Sequence, residues 1–205
     1  MMDVSIVKCA SYDENEVKEA LGKALDGVGG LDWVKAGMKI AIKANLVSAM
    51  SPEKAATTHP VLLCALTDML TERGAEVVIG DSPGGVYSKA YVNMIYSASQ
   101  VKAAEEHGAK LNQDFSQKFK KNPDGKVLKE ITYTGYLDDA DAIIDFSKLK
   151  AHGMMGMSNA AKNMFGVIPG TIKPEYHFKF PNYDDCADMI VDLDEAFKPR
   201  LCIIC

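Results

Sequence analysis

Lys162 stands ten residues after His152 and fifteen before His177, in a stretch from Lys148 to His177 that reads KLKAHGMMGMSNAAKNMFGVIPGTIKPEYH. An imidazole can accept and donate a proton near neutral pH and can bind a metal, while an ammonium between two imidazoles favours an anion. His152 follows Lys148 and Lys150 just past an apolar run and precedes a glycine, so it reads as a proton-transfer group. Gly153, Gly156, Gly166 and Gly170 let the backbone come close to a ligand. A helix starting near Ser158 would direct free N–H groups toward the same place, which suits an anion. The same composition also fits a Gly-rich connection leading into a short helix.

Two other loops carry candidate residues. Lys43 and Asn45 close the apolar run Lys39 to Ala44, and an ammonium beside a carboxamide suits a carboxylate or phosphate; Lys43 read alone also fits a solvated strand end. Asp81 and Ser82 sit in Gly80-Asp81-Ser82-Pro83-Gly84-Gly85, which can position a carboxylate and a hydroxyl or simply form a capped turn. His59, between Thr57-Thr58 and Pro60, reads as a helix start, and His107, before Gly108, as a helix end where a cation complements the dipole.

The elements that must position these residues alternate. Val4 to Cys9 is a β-like run, and a helix over about Asp13 to Leu25 has Val17, Leu21 and Leu25 on one face. Lys39 to Ala44 and Glu76 to Ile79 read as strands joined through a helix from Pro60 to Arg73, so the two are parallel with a right-handed crossover. A helix over Lys89 to His107, a short strand near Ala109 to Asn112 and a β-like pair around Asp124-Gly125 follow. Ala142 to Phe146 reads as a buried strand, Asp184 to Phe197 as a helix and Arg200 to Ile204 as a last strand. The fold class expected is α/β in three layers: a mostly parallel sheet with helices on both faces, Rossmann-like but with no dinucleotide fingerprint. Ligands of such sheets bind beyond the carboxyl ends of strands, and the loops Lys43 to His59, Gly80 to Gly85 and Lys148 to Lys162 all lie there.

With 205 residues and 47% hydrophobic residues, one domain spanning 1–205 is expected. Because the chain stops inside a strand, the expectation is also a piece of a longer protein. A formal net charge of -5 excludes a general nucleic-acid binder, which needs a basic stripe. The lysines from Lys118 to Lys129 flank a turn and read as solvated. The N-terminus has no basic region followed by an apolar run, and no stretch reaches the roughly 18 apolar residues that span a membrane, so a cytoplasmic location and no membrane contact are expected. Cys9, Cys64 and Cys186 read as buried reduced thiols. Cys202 and Cys205 have metal-like spacing but fall on opposite faces of a strand, so they could share a metal only if the chain turned.

KANLVS at Lys43 to Ser48, TTHP at Thr57 to Pro60, GDSPG at Gly80 to Gly84 and HGMMGMSNAAKNMFGVIPG at His152 to Gly170 resemble domain-of-unknown-function family 362 over nearly the whole chain. Members of that family are often joined to a ferredoxin-like segment binding iron–sulfur clusters. The resemblance implies such a domain or partner, with any cluster outside these residues. The central stretch is also similar, more distantly, to the nickel-dependent lactate racemase family. That similarity implies Lys162 as the residue that tethers or binds a nickel-pincer nucleotide, His177 as a nickel ligand and His152 as an acid/base. Asp81-Ser82 stands where racemases have a second acid/base histidine, and Asn159-Ala160-Ala161 replaces their glycine pair, so two-sided proton exchange on lactate is not expected.

The reading is an enzyme-like domain that binds a small anionic ligand or metal-containing cofactor at the strand ends. Redox or hydride-transfer chemistry on a small hydroxy acid is the expected reaction class. His152 is the proton-transfer group, His177 the metal contact, and Lys162, Lys43, Asn45, Asp81, Ser82 and Asn163 bind the ligand. The alternative is a non-catalytic docking or regulatory module of a ferredoxin-like iron–sulfur protein, which predicts an exposed apolar patch instead of a polar cluster.

Overall fold

Asp13 starts the first helix for a local reason: its carboxylate accepts from the backbone N–H groups of Asn15 at 3.0 Å and Glu16 at 3.1 Å, satisfying two donors that a helix start leaves free. That helix, α1 (Glu14–Asp26), buries Val17, Leu21 and Leu25, the stripe the spacing predicts. The computed structural model describes residues 4–205. In it α1 is followed by β1 (Lys39–Ala44), α2 (Pro60–Thr71), β2 (Glu76–Gly80), α3 (Lys89–Ala98) and β3 (Ala109–Leu111). Next come the ribbon β4 (Gln117–Lys121) and β5 (Glu130–Thr134), then β6 (Ala142–Ser147) and the small hairpin β7 (Lys150–His152) and β8 (Gly156–Ser158). The chain then forms α4 (Ala160–Asn163), α5 (Lys173–Lys179), α6 (Tyr183–Phe197) and β9 (Leu201–Ile204).

Five strands pair in parallel in the order β3-β2-β1-β6-β9, while β4–β5 and β7–β8 are antiparallel pairs outside that sheet. From β1 the chain builds outward through β2 to β3, then returns to place β6 on the other side of β1. The strand order therefore reverses between β1 and β6, the place where open α/β sheets leave a crevice beyond the strand ends.

Side-chain parity assigns the faces. Ile40, Ile42 and Ala44 of β1 join Ile144 and Phe146 of β6 under the residues of α1, α2 and α3. Ala41 and Ile143 belong to the second core with Ile131, Met164, Phe165, Met189 and Leu193. Residues two apart on a strand share a face, so Lys43 and Asp145 follow Ala41 and Ile143 toward this second layer. In the pairing register Lys43 lies opposite both Gly80 and Asp145, which puts the three side by side at the carboxyl edge.

One carboxylate ties α6 to the long β4–β5 connection. Asp192 accepts from the backbone N–H groups of Lys126 (2.7 Å), Val127 (2.8 Å) and Leu128 (2.7 Å). Asp192→Ala is expected to lower stability by about 3 kcal/mol or more, because hydrogen bonds to a charged group contribute roughly 1.5–3 kcal/mol each and three donors lose theirs. Urea unfolding reads this directly; a loss under about 1 kcal/mol would mean that the connection simply finds water.

The structure differs from the sequence reading at four places. Val4 to Cys9 forms no strand: Val4 and Ile6 are exposed, and Ser5 lies against Gly27 at the end of α1 instead of joining a sheet edge. The helix expected over Lys89 to His107 ends at Ala98, where Gln100 takes a left-handed conformation and the chain continues as a 3-10 turn over Val101–Glu105. Cys9 is exposed, whereas Cys64 and Cys186 are buried; all five cysteines are free. The helix expected from Ser158 is only the four-residue α4, too short to offer an anion the field of a helix start. The side chain of Asn159 already accepts from the Ala160 N–H at 2.8 Å.

Candidate functional site

At the centre of the site Lys43 is fully buried, a position that an ammonium holds only with partners. Its Nζ lies 2.6 Å from Asp81 Oδ1 and donates to the Ala44 carbonyl at 2.6 Å and to Asn163 Oδ1 at 3.1 Å. Asp81 Oδ2 accepts from the Leu46 N–H at 2.8 Å, so the carboxylate joins the loop after β1 to the loop after β2. Asn163 completes the junction. Its Nδ2 donates to the Lys43 carbonyl at 3.1 Å and to Asp145 Oδ1 at 2.5 Å, and its Oδ1 also accepts from Asn45 Nδ2 at 2.9 Å. The amide orientation of Asn163 is thereby fixed by four hydrogen bonds to three residues.

Gly166 is required here by proximity. A Cβ on it would run into Asp81 Oδ1 and into Cε and Nζ of Lys43, so the 3-10 turn Met164–Val167 lays bare backbone onto the ion pair. Gly170 is held similarly against the carbonyls of Pro83 and Gly85. Between them the Gly166 carbonyl accepts from the Ser82 N–H at 3.2 Å, and Ser82 Oγ accepts from the Gly170 N–H at 2.7 Å. Thr58 performs the same office on the β1 loop, accepting from the Asn45 N–H at 2.9 Å and donating to the Phe146 carbonyl at 2.7 Å.

Above this floor lies a cleft of about 270 Å3 lined by Asn45, Val47, Asp81, Ser82, Pro83, Gly84, Lys150, His152, Ser158, Lys162, Asn163, Phe165, Gly166 and Lys173. Val47 holds φ at +52°, an uncommon conformation for a β-branched residue, with Ser48 N–H 2.5 Å from the Leu46 carbonyl. Such strain marks backbone that its surroundings hold in place. Lys150 Nζ donates to Asn45 Oδ1 at 2.5 Å and to the Ala56 carbonyl at 2.6 Å. Lys173 donates to the Ser82 carbonyl. Lys162 and Lys173 lie 4.6 and 5.4 Å from the centre of the Phe165 ring.

None of Lys150, Lys162 and Lys173 has a carboxylate within ion-pair distance among the described residues; Asp81 is taken by Lys43. Burial therefore pushes Lys150 down to about 8 and Lys173 to about 7, with Lys43 and Lys162 adding to both effects and Asp81 opposing them. Lys162 is lowered by burial in the same way. Burial raises Asp145 to about 7 against the pull of Lys43 and Asn163, and its Oδ2 has no partner.

His152 turns Nδ1 inward, where it accepts from the N–H groups of Met154 at 3.2 Å and Met155 at 3.1 Å. Nε2 is thus the ring atom left to exchange a proton. Burial lowers the His152 pKa, and Lys162, His177 and Lys150 add to the shift. His177 packs edge-on to Phe165 at 5.1 Å, its Nδ1 is buried without a partner, and burial with Lys162 and Lys173 keeps the ring neutral-leaning. Among the described residues no group of three or more His, Cys, Asp and Glu side chains could hold a metal, so His177 belongs to no such cluster there.

The sequence-named residues divide accordingly. Lys43, Asn45, Asp81, Ser82 and Asn163 form one bonded floor, and His152 and Lys162 join all of these but Lys43 in lining the cleft. His177 stands behind Phe165. His59 and His107 are structural: His59 caps α2 by accepting from the Val61 N–H at 3.3 Å and stacks on Tyr12 at 3.6 Å, and His107 pairs with Asp68 at 2.7 Å. Sequence reasoning missed Lys173 and Asp145 and gave Lys150 no role. A carboxylate inside the apolar strand AIIDF was the available signal for Asp145; nothing in the spacing around Lys173 sets it apart from a surface lysine.

Comparison with known proteins gives the chain a family match and a shared fold. The model of the family described as "Domain of unknown function (DUF362)" matches residues 40–205. A thylakoid-associated protein of Synechocystis sp. is 27% identical over 209 residues, which cover 98% of this chain and 62% of that protein. The lactate racemase apoprotein of Thermoanaerobacterium thermosaccharolyticum superposes with a TM-score of 0.52 at 13% identity, covering 96% of this chain and 49% of the racemase. The chain thus spans 62% and 49% of the length of these two proteins. At that identity the racemase shares the fold. No helix among the described residues is long and apolar enough to cross a membrane.

Proposed function

The chain belongs to the domain-of-unknown-function family DUF362, and we propose that it is an enzyme-like domain whose cleft binds a small ligand carrying at least two negative charges, such as a phosphate or dicarboxylate. One observation carries this reading: Lys150, Lys162 and Lys173 line a single cleft without a carboxylate partner. Burying ammonium groups together is costly, and an anion that accepts from all three recovers that cost on binding. The convergence of polar side chains in one cleft supports a ligand site over docking to a ferredoxin-like partner, which calls for an exposed apolar patch.

A metal-containing cofactor is a second reading, at a place that adjoins the cleft on the far side of Phe165. The Nδ1 atom of His177 is buried without a partner, and Lys162 Nζ lies over the Phe165 ring with no ion pair among the described residues, so by the resemblance to racemases His177 and Lys162 are the residues that would hold a nickel-pincer nucleotide. When bound, such a group supplies a hydride acceptor. The chain's own part is to hold the anionic end of a small hydroxy acid with Lys150 and Lys173 and to take the hydroxyl proton at His152 Nε2, whose lowered pKa keeps it able to accept.

Calorimetric titration with inorganic phosphate tests the anion site. Wild type is expected to bind, and Lys150→Met and Lys162→Met each to weaken binding at least about ten-fold, since a charge-assisted hydrogen bond contributes roughly 1.5–3 kcal/mol. Absence of phosphate and pyrophosphate binding, or affinity unchanged in both variants, would overturn the reading.

A further inference from the structure

Lys173 is a cleft ammonium outside the quoted motifs, and its setting differs from that of the others. It begins α5, directly before Pro174, and its amine reaches back to the Ser82 carbonyl in the loop after β2. The titratable groups around it come from several elements. Lys43 stands on β1, Lys150 on β7, Lys162 on α4 and His177 on α5 itself, while Asp81 is the carboxylate among them and already bonded to Lys43. Glu175 on the same helix is exposed. The amine thus lies at the edge of the cleft, with other ammoniums beside it and no counter-ion of its own among the described residues.

We propose that Lys173 is a nucleophilic amine that forms an imine with a small anionic carbonyl compound held by Lys150 and Lys162. This rests on the anion-site reading above and names the class of ligand. The amine lone pair bonds to the carbonyl carbon while the π pair moves to oxygen, and that oxygen takes a proton from the Lys162 ammonium. The new nitrogen returns one proton to the Lys162 amine, the hydroxyl takes that proton from Lys162 and leaves as water while the nitrogen lone pair forms the carbon–nitrogen double bond, and the nitrogen then gives its remaining proton to Lys162, which ends as the ammonium it began as. The balance is one amine and one carbonyl to one imine and one water, with no change of oxidation state. Desolvated lysines beside other cations are the ones suited to this step, and a pKa pushed down to about 7 leaves a substantial share of Lys173 as free amine at neutral pH, against under about one part in a thousand for a solvated lysine.

Pyridoxal 5′-phosphate, an aldehyde with a phosphate, with cyanoborohydride as the reductant, is the probe. Peptide mapping after brief treatment at pH 7 is expected to find the reduced adduct on Lys173 at least about ten-fold above surface lysines such as Lys102 and Lys129. Labelling should rise with pH through about 7, inorganic phosphate should suppress it, and Lys173→Arg should abolish it. Wild-type mapping stands even if that variant folds poorly. An adduct spread over surface lysines, or confined to Lys150 or Lys162 while inorganic phosphate still binds, overturns the imine proposal and leaves the anion site standing. Labelling of Lys173 in a protein that binds no phosphate removes the anion reading on which the proposal rests.

Discussion

Lys43→Met is expected to lower stability by about 3–5 kcal/mol, the usual cost of removing one partner from a buried ion pair and leaving the other charge uncompensated. Asp81 is 4% exposed, and its Oδ1 has Lys43 Nζ at 2.6 Å as its counter-charge. The amide of Asn163 also loses a donor to its Oδ1, and the loop after β1 loses the clamp that holds Asn45 under the cleft. A second substitution separates charge from shape. Asp81→Asn keeps an oxygen for the Leu46 N–H but removes the buried charge, so Lys43→Met with Asp81→Asn should recover roughly 2 kcal/mol of the loss. Denaturant unfolding of the two single variants and the double variant gives the coupling. Strict additivity, or a single-variant loss under about 1 kcal/mol, would show that the pair is solvated in a way this geometry does not allow.

Gly166→Ala should be comparably severe although it adds one methyl group. The new Cβ meets both members of the Lys43–Asp81 pair, and neither is the free end of a flexible chain, because both are bonded to the loops around them. Overpacking costs typically 1–3 kcal/mol, and separating the pair adds to it, so a loss of about 3 kcal/mol or more is expected. Phosphate binding should weaken at least about ten-fold, because the same shift moves Asn163 and Asn45. Gly153→Ala, in the same motif, is the contrast. A Cβ there meets nothing within 4 Å and φ needs no glycine, so stability should stay within about 0.5 kcal/mol of wild type. Equal losses in the two variants would mean that the motif responds to helix or loop propensity and not to the contact with the ion pair.

How much of this was legible beforehand can be judged residue by residue. Alternation and apolar spacing are local, so β1, β2, β6, α1, α2 and α6 fell within a few residues of their sequence-based bounds, and the caps at Asp13 and His59 were readable as helix starts. The loops that could carry chemistry followed from where those strands end. Val4 to Cys9 misled because β-like composition says nothing about whether an edge is available to pair with. The helix expected from Ser158 misled because Gly166 must reach the ion pair, which turns the chain into a 3-10 path after four helical residues.

The sequence by itself determined that Lys43 shares a face with Ala41, since parity along a strand is a property of the backbone alone. It also determined that Lys43, Asp81 and Lys148 onward all leave strands at one end of a parallel sheet. Only the tertiary structure decided what those side chains meet. Asn163 bridges Lys43 and Asp145 because β6 returns beside β1, and Lys173 enters the cleft because Gly170 packs without a side chain on the backbone of Pro83 and Gly85. Those encounters join segments far apart in the chain, and a lysine's burial, and with it the chemistry of its amine, is set by neighbours that no local pattern specifies.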